Sequence, residues 1–126
     1  MITLEDYFEK MSRVEGATPP PSVVENATNL LIKVNKLLDV VFSITGIEAA
    51  QIRKVNSGWR TPSYNAGISN AAPKSKHMTG DAIDIADPDG DLDSFLATKE
   101  GTKLLIEYGL YIESPLATKG WTHLQQ

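Results

Sequence analysis

His77, Asp84 and His123 are the side chains of this sequence whose types could jointly hold a metal ion. The chain has only two histidines to place. His77 stands in SKHMTGDAIDIAD, residues 75–87, and His123 stands in GWTHLQ near the last residue. A His-x6-Asp pair with a distant second histidine supplies two imidazoles and one carboxylate. That donor set suits a catalytic zinc ion with water as the fourth ligand. Cysteine is absent, so neither a disulfide nor a thiolate zinc site is available, and any metal must use His, Asp, Glu or backbone oxygen.

These groups can meet only if the right elements carry them. DAIDIAD alternates, with Ile83 and Ile85 on one face and Ala82, Asp84 and Ala86 on the other, which predicts a strand with Asp84 turned away from the core. The small residues Thr79, Gly80 and Ala82 allow a tight turn between His77 and Asp84. LYIES and WTHLQ read as two final short strands joined by PLATKG. If the last strand pairs with the Asp84 strand or lies next to it, His77, Asp84 and His123 converge.

The rest of the chain supplies the packing. Residues 3–13 predict a helix with Thr3 as N-cap and Asp6 three positions on; Leu4, Tyr7, Phe8 and Met11 share a face. EGATPPPS breaks it, because proline cannot continue a helix. Ser22 and Glu25 form a capping-box pattern ahead of a long helix over 23 to about 43, with Gly46 as its stop. AQIRKVNSGWR alternates Ile52 and Val55 with polar residues and predicts a strand. TPSYNAGISNAAPKS reads as an irregular loop with one helical turn near Tyr64 to Ala66. DGDLDSFLATKEGTKLLIEYG reads as helical, with Asp91 as N-cap, Gly109 as stop and Gly101 as a dividing point. DPDGDLD resembles a calcium loop only superficially. Counted from Asp87, Gly90 falls at position four and Thr98 at position twelve, where an EF-hand needs Gly at six and Glu at twelve.

With 126 residues, 41% of them hydrophobic and 22% charged, the composition is that of one ordinary globular domain. A net charge of −4 argues against nucleic acid as a partner. The apolar runs are short and interrupted by charge, which argues against a membrane partner. MITLEDYFEK is acidic and amphipathic, so no signal peptide is expected.

Three ordered blocks, SGWRTPSYN, SKHMTGDAIDIAD and GLYIESPLATKGWTHLQ, resemble the zinc D-Ala-D-Ala carboxypeptidase and L-alanyl-D-glutamate peptidase family. That family includes D,D-dipeptidases and phage endolysins, and it shares its fold with the hedgehog signalling domain. Its pattern is met at Ser57, Gly58, Trp59 and Arg60; at Ser75, His77, Gly80, Ala82 and Asp84; and at Trp121 and His123. The resemblance implies that His77, Asp84 and His123 are zinc ligands and that Arg60 grips or polarises the substrate. It implies that Ser75 hydrogen-bonds near the site, to Arg60 or behind the metal. One position departs. Many members carry an acid three residues before the last histidine, and here that residue is Gly120. Glu113, on the preceding strand, is then the nearest candidate for the general base, ahead of Glu107 and Asp81. Trp59 and Trp121 read as packing residues.

The expected fold is α+β: a small, mainly antiparallel sheet with helices packed on one face, hedgehog and D,D-peptidase-like. Residues 1–126 would form a single zinc peptidase-like domain, with an N-terminal helix and Pro-rich connector over 1–21 and the motif-bearing region over about 50–126. The expected function is zinc-dependent hydrolysis of a peptide bond in peptidoglycan stem peptides, of D,D or L,D type. The alternative is a non-catalytic zinc-stabilised binding or virion structural domain. The protein would be made in the cytoplasm and act at the cell wall when delivered by phage machinery or lysis. It would be a monomer, or one part of a larger virion assembly.

Overall fold

A computed structural model describes residues 1–69 and 71–126. A capping box opens helix α1, Leu4–Glu15. The Thr3 hydroxyl accepts from the Asp6 N–H at 3.2 Å, and the Asp6 carboxylate accepts from the Thr3 N–H at 2.9 Å. Helix α2, Pro21–Thr45, starts earlier than the Ser22–Glu25 pattern predicts, and that box does not form. Pro20 is the N-cap and Pro21 the first helical residue, where a missing N–H costs nothing. Val23, Ala27, Leu30, Leu31, Val34, Leu37, Leu38 and Val41 of α2 are buried and form its core stripe.

The expected strand through Ile52 is instead helix α3, Glu48–Ile52, followed by a three-residue strand β1, Val55–Ser57. EAAQ favours helix, and Arg53 closes the turn at φ 56. The Arg53 side chain holds that cap by donating to Ala50 O at 2.6 Å and to Asp39 at 2.6 Å. Ile52 is left exposed rather than buried in a sheet. Helix α4, Pro62–Ala66, is the single turn expected near Tyr64, capped by Thr61. A 3-10 turn, Lys76–Thr79, precedes strand β2, Ala82–Asp87.

The following segment divides into α5, Asp91–Leu96, and α6, Lys99–Tyr108. The break falls before Gly101, at Ala97 and Thr98, and Thr98 caps α6 by accepting from Gly101 N–H at 3.1 Å. Gly101 serves close packing, since a Cβ there would lie 2.2 Å from Phe95 O. Asp91 is not the N-cap of α5; Gly90 is, at φ 73. The free N–H groups of Leu92 and Asp93 donate instead to the Asp87 carboxylate, at 3.1 and 2.9 Å. Strands β3, Tyr111–Ile112, and β4, Gly120–Gln125, complete the chain.

The sheet has the order β1-β2-β4-β3 and every pairing is antiparallel. The fold is therefore α+β. Ile83, Ile85 and Leu124 project from β2 and β4 into one core shared with α1, α2, α5 and α6, and all three are fully buried. Each contributes roughly 1.5–3 kcal/mol by leaving water. Tyr7 of α1 donates its hydroxyl to Ala82 O at 2.7 Å and so ties the first helix to the central strand. Among the described residues no helix is long and apolar enough to cross a membrane.

Candidate metal centre

The register of β2 and β4 makes Asp84 and His123 direct cross-strand partners, so their side chains meet on the face opposite Ile83 and Leu124. His123 Nδ1 lies 2.8 Å from Asp84 Oδ1. The 3-10 turn brings His77 in from the side, with Nε2 at 3.3 Å from Asp84 Oδ2. Ser75 starts that turn, its hydroxyl accepting from His77 N–H at 3.2 Å. All three candidate ligands are buried, and their ligand atoms lie within 4.8 Å of one another.

The hydrogen bonds behind the imidazoles choose which nitrogen faces inward. His77 Nδ1 lies 2.7 Å from Gly58 O; a carbonyl only accepts, so Nδ1 carries the proton and Nε2 keeps its lone pair. That Nε2 is buried and has no hydrogen-bond partner among the described residues. An orphaned imidazole nitrogen beside a carboxylate is what a metal ligand looks like before its ion is added. His123 Nε2 lies 2.9 Å from Gln125 Oε1 and donates to it, which leaves Nδ1 turned toward Asp84. The donor set and its backing therefore fit zinc.

The electrostatics point the same way. Burial alone would raise the pKa of Asp84, but the hydrogen bond from His123 and the two imidazoles beside it outweigh that and hold the carboxyl well below its ordinary range. Burial opposes charging His123, yet Asp84, Gln125 and Glu113 outweigh that and raise its pKa. Asp84 and His123 thus favour positive charge between them, in the place where a cation would sit.

Arg60 is held over the same carboxylate. Its Nε donates to Ser57 Oγ at 3.0 Å, one terminal nitrogen to Asn65 Oδ1 at 3.3 Å and the other to Asp84 Oδ2 at 3.4 Å. Ser57 and Asn65 lie inside the SGWRTPSYN block, but nothing in its residue order shows their grip on Arg60. Only the paired geometry reveals it. Of the two places expected for Ser75, its hydroxyl takes the one behind His77, accepting from the His77 N–H, and Arg60 is held by other residues. Ser75 also lines the cavity of about 580 Å³ that opens over Arg60, His77, Asp84 and His123.

Glu113 also lines that cavity. Ile112 pairs with Leu124, so the next residue of the hairpin stands opposite His123, and Glu113 Oε1 lies 3.7 Å from His123 Nε2. Asp81 and Glu107 do not line the site cavity. Asp81 accepts from Thr79 and Gln126, and Glu107 is exposed on α6. Gly120 begins β4 at φ 96. Gly120 opens on a different cavity, shared with Ile47, Ile52 and Lys54. Trp59 is a packing residue as expected, buried edge-on to Phe8 with its indole N–H donating to Met78 O at 3.1 Å. Trp121 is half-buried and forms a wall of the site cavity.

A buried His-Asp-His cluster on and beside a central antiparallel pair is a donor set that could hold a metal ion. The Peptidase M15 family model matches residues 11–124, and the chain belongs to that metallopeptidase family, the family of the zinc D-Ala-D-Ala carboxypeptidases. The match extends upstream of the motif-bearing blocks, into α1 and α2. No curated protein and no solved structure matches the chain.

Proposed function

We propose that this chain hydrolyses a peptide bond in peptidoglycan stem peptides, of D,D or L,D type, with zinc held by His77, Asp84 and His123. The observation that carries the reading is the buried, unpartnered His77 Nε2, aimed at Asp84 with its tautomer fixed by Gly58. Zinc bound there would supply Lewis acidity toward the scissile carbonyl and the attacking water. The chain's own groups do the rest. Arg60, pinned by Ser57 and Asn65, presents a planar fork to a substrate carboxylate or carbonyl. Glu113, half exposed at the cavity wall, takes the proton from the water and returns it to the leaving amine. Ser75 keeps the His77 turn in place at the cavity edge. The small walls Ala72 and Ala117 leave room for a short stem-peptide side chain. Delivery by phage machinery or lysis would bring the domain to the wall.

The test is incubation of the zinc-loaded protein with purified peptidoglycan, reading new amino groups and the released fragments by mass spectrometry. Release that stops with chelator and returns with zinc is expected. Absence of cleavage on every stem peptide favours the second reading, a non-catalytic zinc-stabilised binding or virion structural domain. That reading has its own support in Gly120, which offers no acid where many relatives of this pattern have one.

A further inference from the structure

The run DPDGDLD has a use that neither the metal centre nor calcium explains. Asp93 is 2% exposed, and one of its oxygens, Oδ2, accepts from the Thr118 hydroxyl. Thr118 is the buried residue of the segment 113–119 joining β3 to β4; its neighbours Ala117 and Lys119 are exposed, as is Leu116 at 85%. The segment carries two walls of the site cavity, Glu113 and Ala117. Its turn is closed by Ala117 N–H donating to Ser114 O at 2.8 Å, and Thr118 Oγ1 lies 3.4 Å from that same carbonyl, next to Glu113. Asp93 in turn is fixed to the sheet. Its N–H donates to Asp87 Oδ2 at 2.9 Å, and the same oxygen accepts from Thr122, the residue before His123, at 3.0 Å.

We propose that Asp93 and Thr118 form a latch that holds the β3–β4 loop against α5 and so positions Glu113 and Ala117 over the metal centre. Asp93 is a positioning residue that acts through Thr118; it touches no reacting group. One buried hydroxyl anchoring an otherwise exposed loop concentrates the loop's hold at a single hydrogen bond, so its loss should free the segment while leaving the core intact. The kinetic consequence rests on the reading of Glu113 as the proton carrier. The hold on the loop does not.

The experiment is site-resolved tryptic nicking after Lys119, read by mass spectrometry and normalised to cleavage of matching free peptides, with zinc content measured on the same samples. Thr118→Val should be nicked at Lys119 about tenfold faster than the parent or more, because nicking follows local opening. Its zinc content should be unchanged. Thr118→Ser should return nicking to the parent rate, and Asp93→Asn, which still offers an acceptor oxygen, should stay latched. On a cleavable stem peptide Thr118→Val should lower kcat about tenfold with a smaller change in KM, and the serine variant should restore it. Parent-like nicking of Thr118→Val overturns the latch. Faster nicking with unchanged kcat in an active parent shows a latch that positions nothing. If the parent cleaves no stem peptide, nicking alone decides the latch, and the failure belongs to the proposed function.

Discussion

Asp84 and Asp93 are both buried aspartates of the β2–α5 region, and their surroundings drive them in opposite directions. Two imidazoles and a guanidinium surround Asp84. Asp93 has the Thr118 hydroxyl, the Thr122 hydroxyl and the carboxylates of Asp87 and Glu113. Asp84 is held below the ordinary carboxylate range. Burial raises Asp93, and despite the bond from Thr118 the nearby carboxylates keep it raised. Burial is common to both, so the partners set the sign. A carboxylate kept ionised among imidazoles is suited to a cation. A carboxyl pushed toward its neutral form beside hydroxyls is suited to holding chain.

The sharpest way to break the comparison is to remove the charge at Asp84. Asp84→Asn should weaken zinc binding by on the order of a hundred- to a thousandfold, one ligand's share of the roughly 10–16 kcal/mol that structural zinc sites supply. His77→Ala should match it, and elemental analysis after dialysis reads both. Parent-like zinc content in either variant would sink the ligand assignment. The metal-free protein should also show a pH window. The depressed Asp84 contributes stability that is present above the ordinary carboxylate value and lost as pH falls through its folded pKa. The raised His123 contributes stability that is full below about pH 6.5 and lost as pH rises through its folded pKa. Metal-free melting should therefore peak at roughly pH 4–6.5.

A second test sharpens what the two aspartates serve. Glu113→Gln should retain zinc and stability and slow hydrolysis by about 10²–10⁴-fold, the usual general-base contribution. Arg60→Lys should retain zinc and recover little activity over Arg60→Ala, since an ammonium cannot reproduce the fork. A fully active glutamine variant would reduce Glu113 to a strand-end carboxylate.

The sequence makes the Asp84 side of this comparison legible and hides the Asp93 side. Alternation in DAIDIAD points Asp84 away from Ile83 and Ile85, and the small residues after His77 allow the turn, so residue types and spacing let the three donors converge, while their assignment as ligands comes from the family resemblance. Two strands of a hairpin are enough to bring Glu113 across from His123. What the spacing lacks is the third dimension of the supports. Ser57 and Asn65 hold Arg60 through contacts set by how α4 docks, and Asp87 takes the capping role that local pattern assigns to Asp91. α3 is hidden because a five-residue helix and a short strand share the same apolar spacing, with the left-handed Arg53 deciding between them. Asp93 looks like one more acid at a helix start until Thr118, distant in sequence, closes on it.

The smallest effect expected is the most discriminating for the comparison. Asp93→Asn keeps the shape and an acceptor oxygen for Thr118 while removing a charge that the site does not favour. With its folded pKa raised, Asp93 contributes stability that is full below the ordinary carboxylate value and lost as pH rises through the folded pKa. Asparagine has no such loss. At pH 7 the variant should melt at the parent temperature or up to about 3 °C above it, whereas below about pH 4, where the parent is protonated as well, the two should converge. Zinc content should be unchanged, in contrast to Asp84→Asn. A variant that melts well below the parent at pH 7 would mean that Asp93 works as a charge, and the two buried aspartates would then be alike after all.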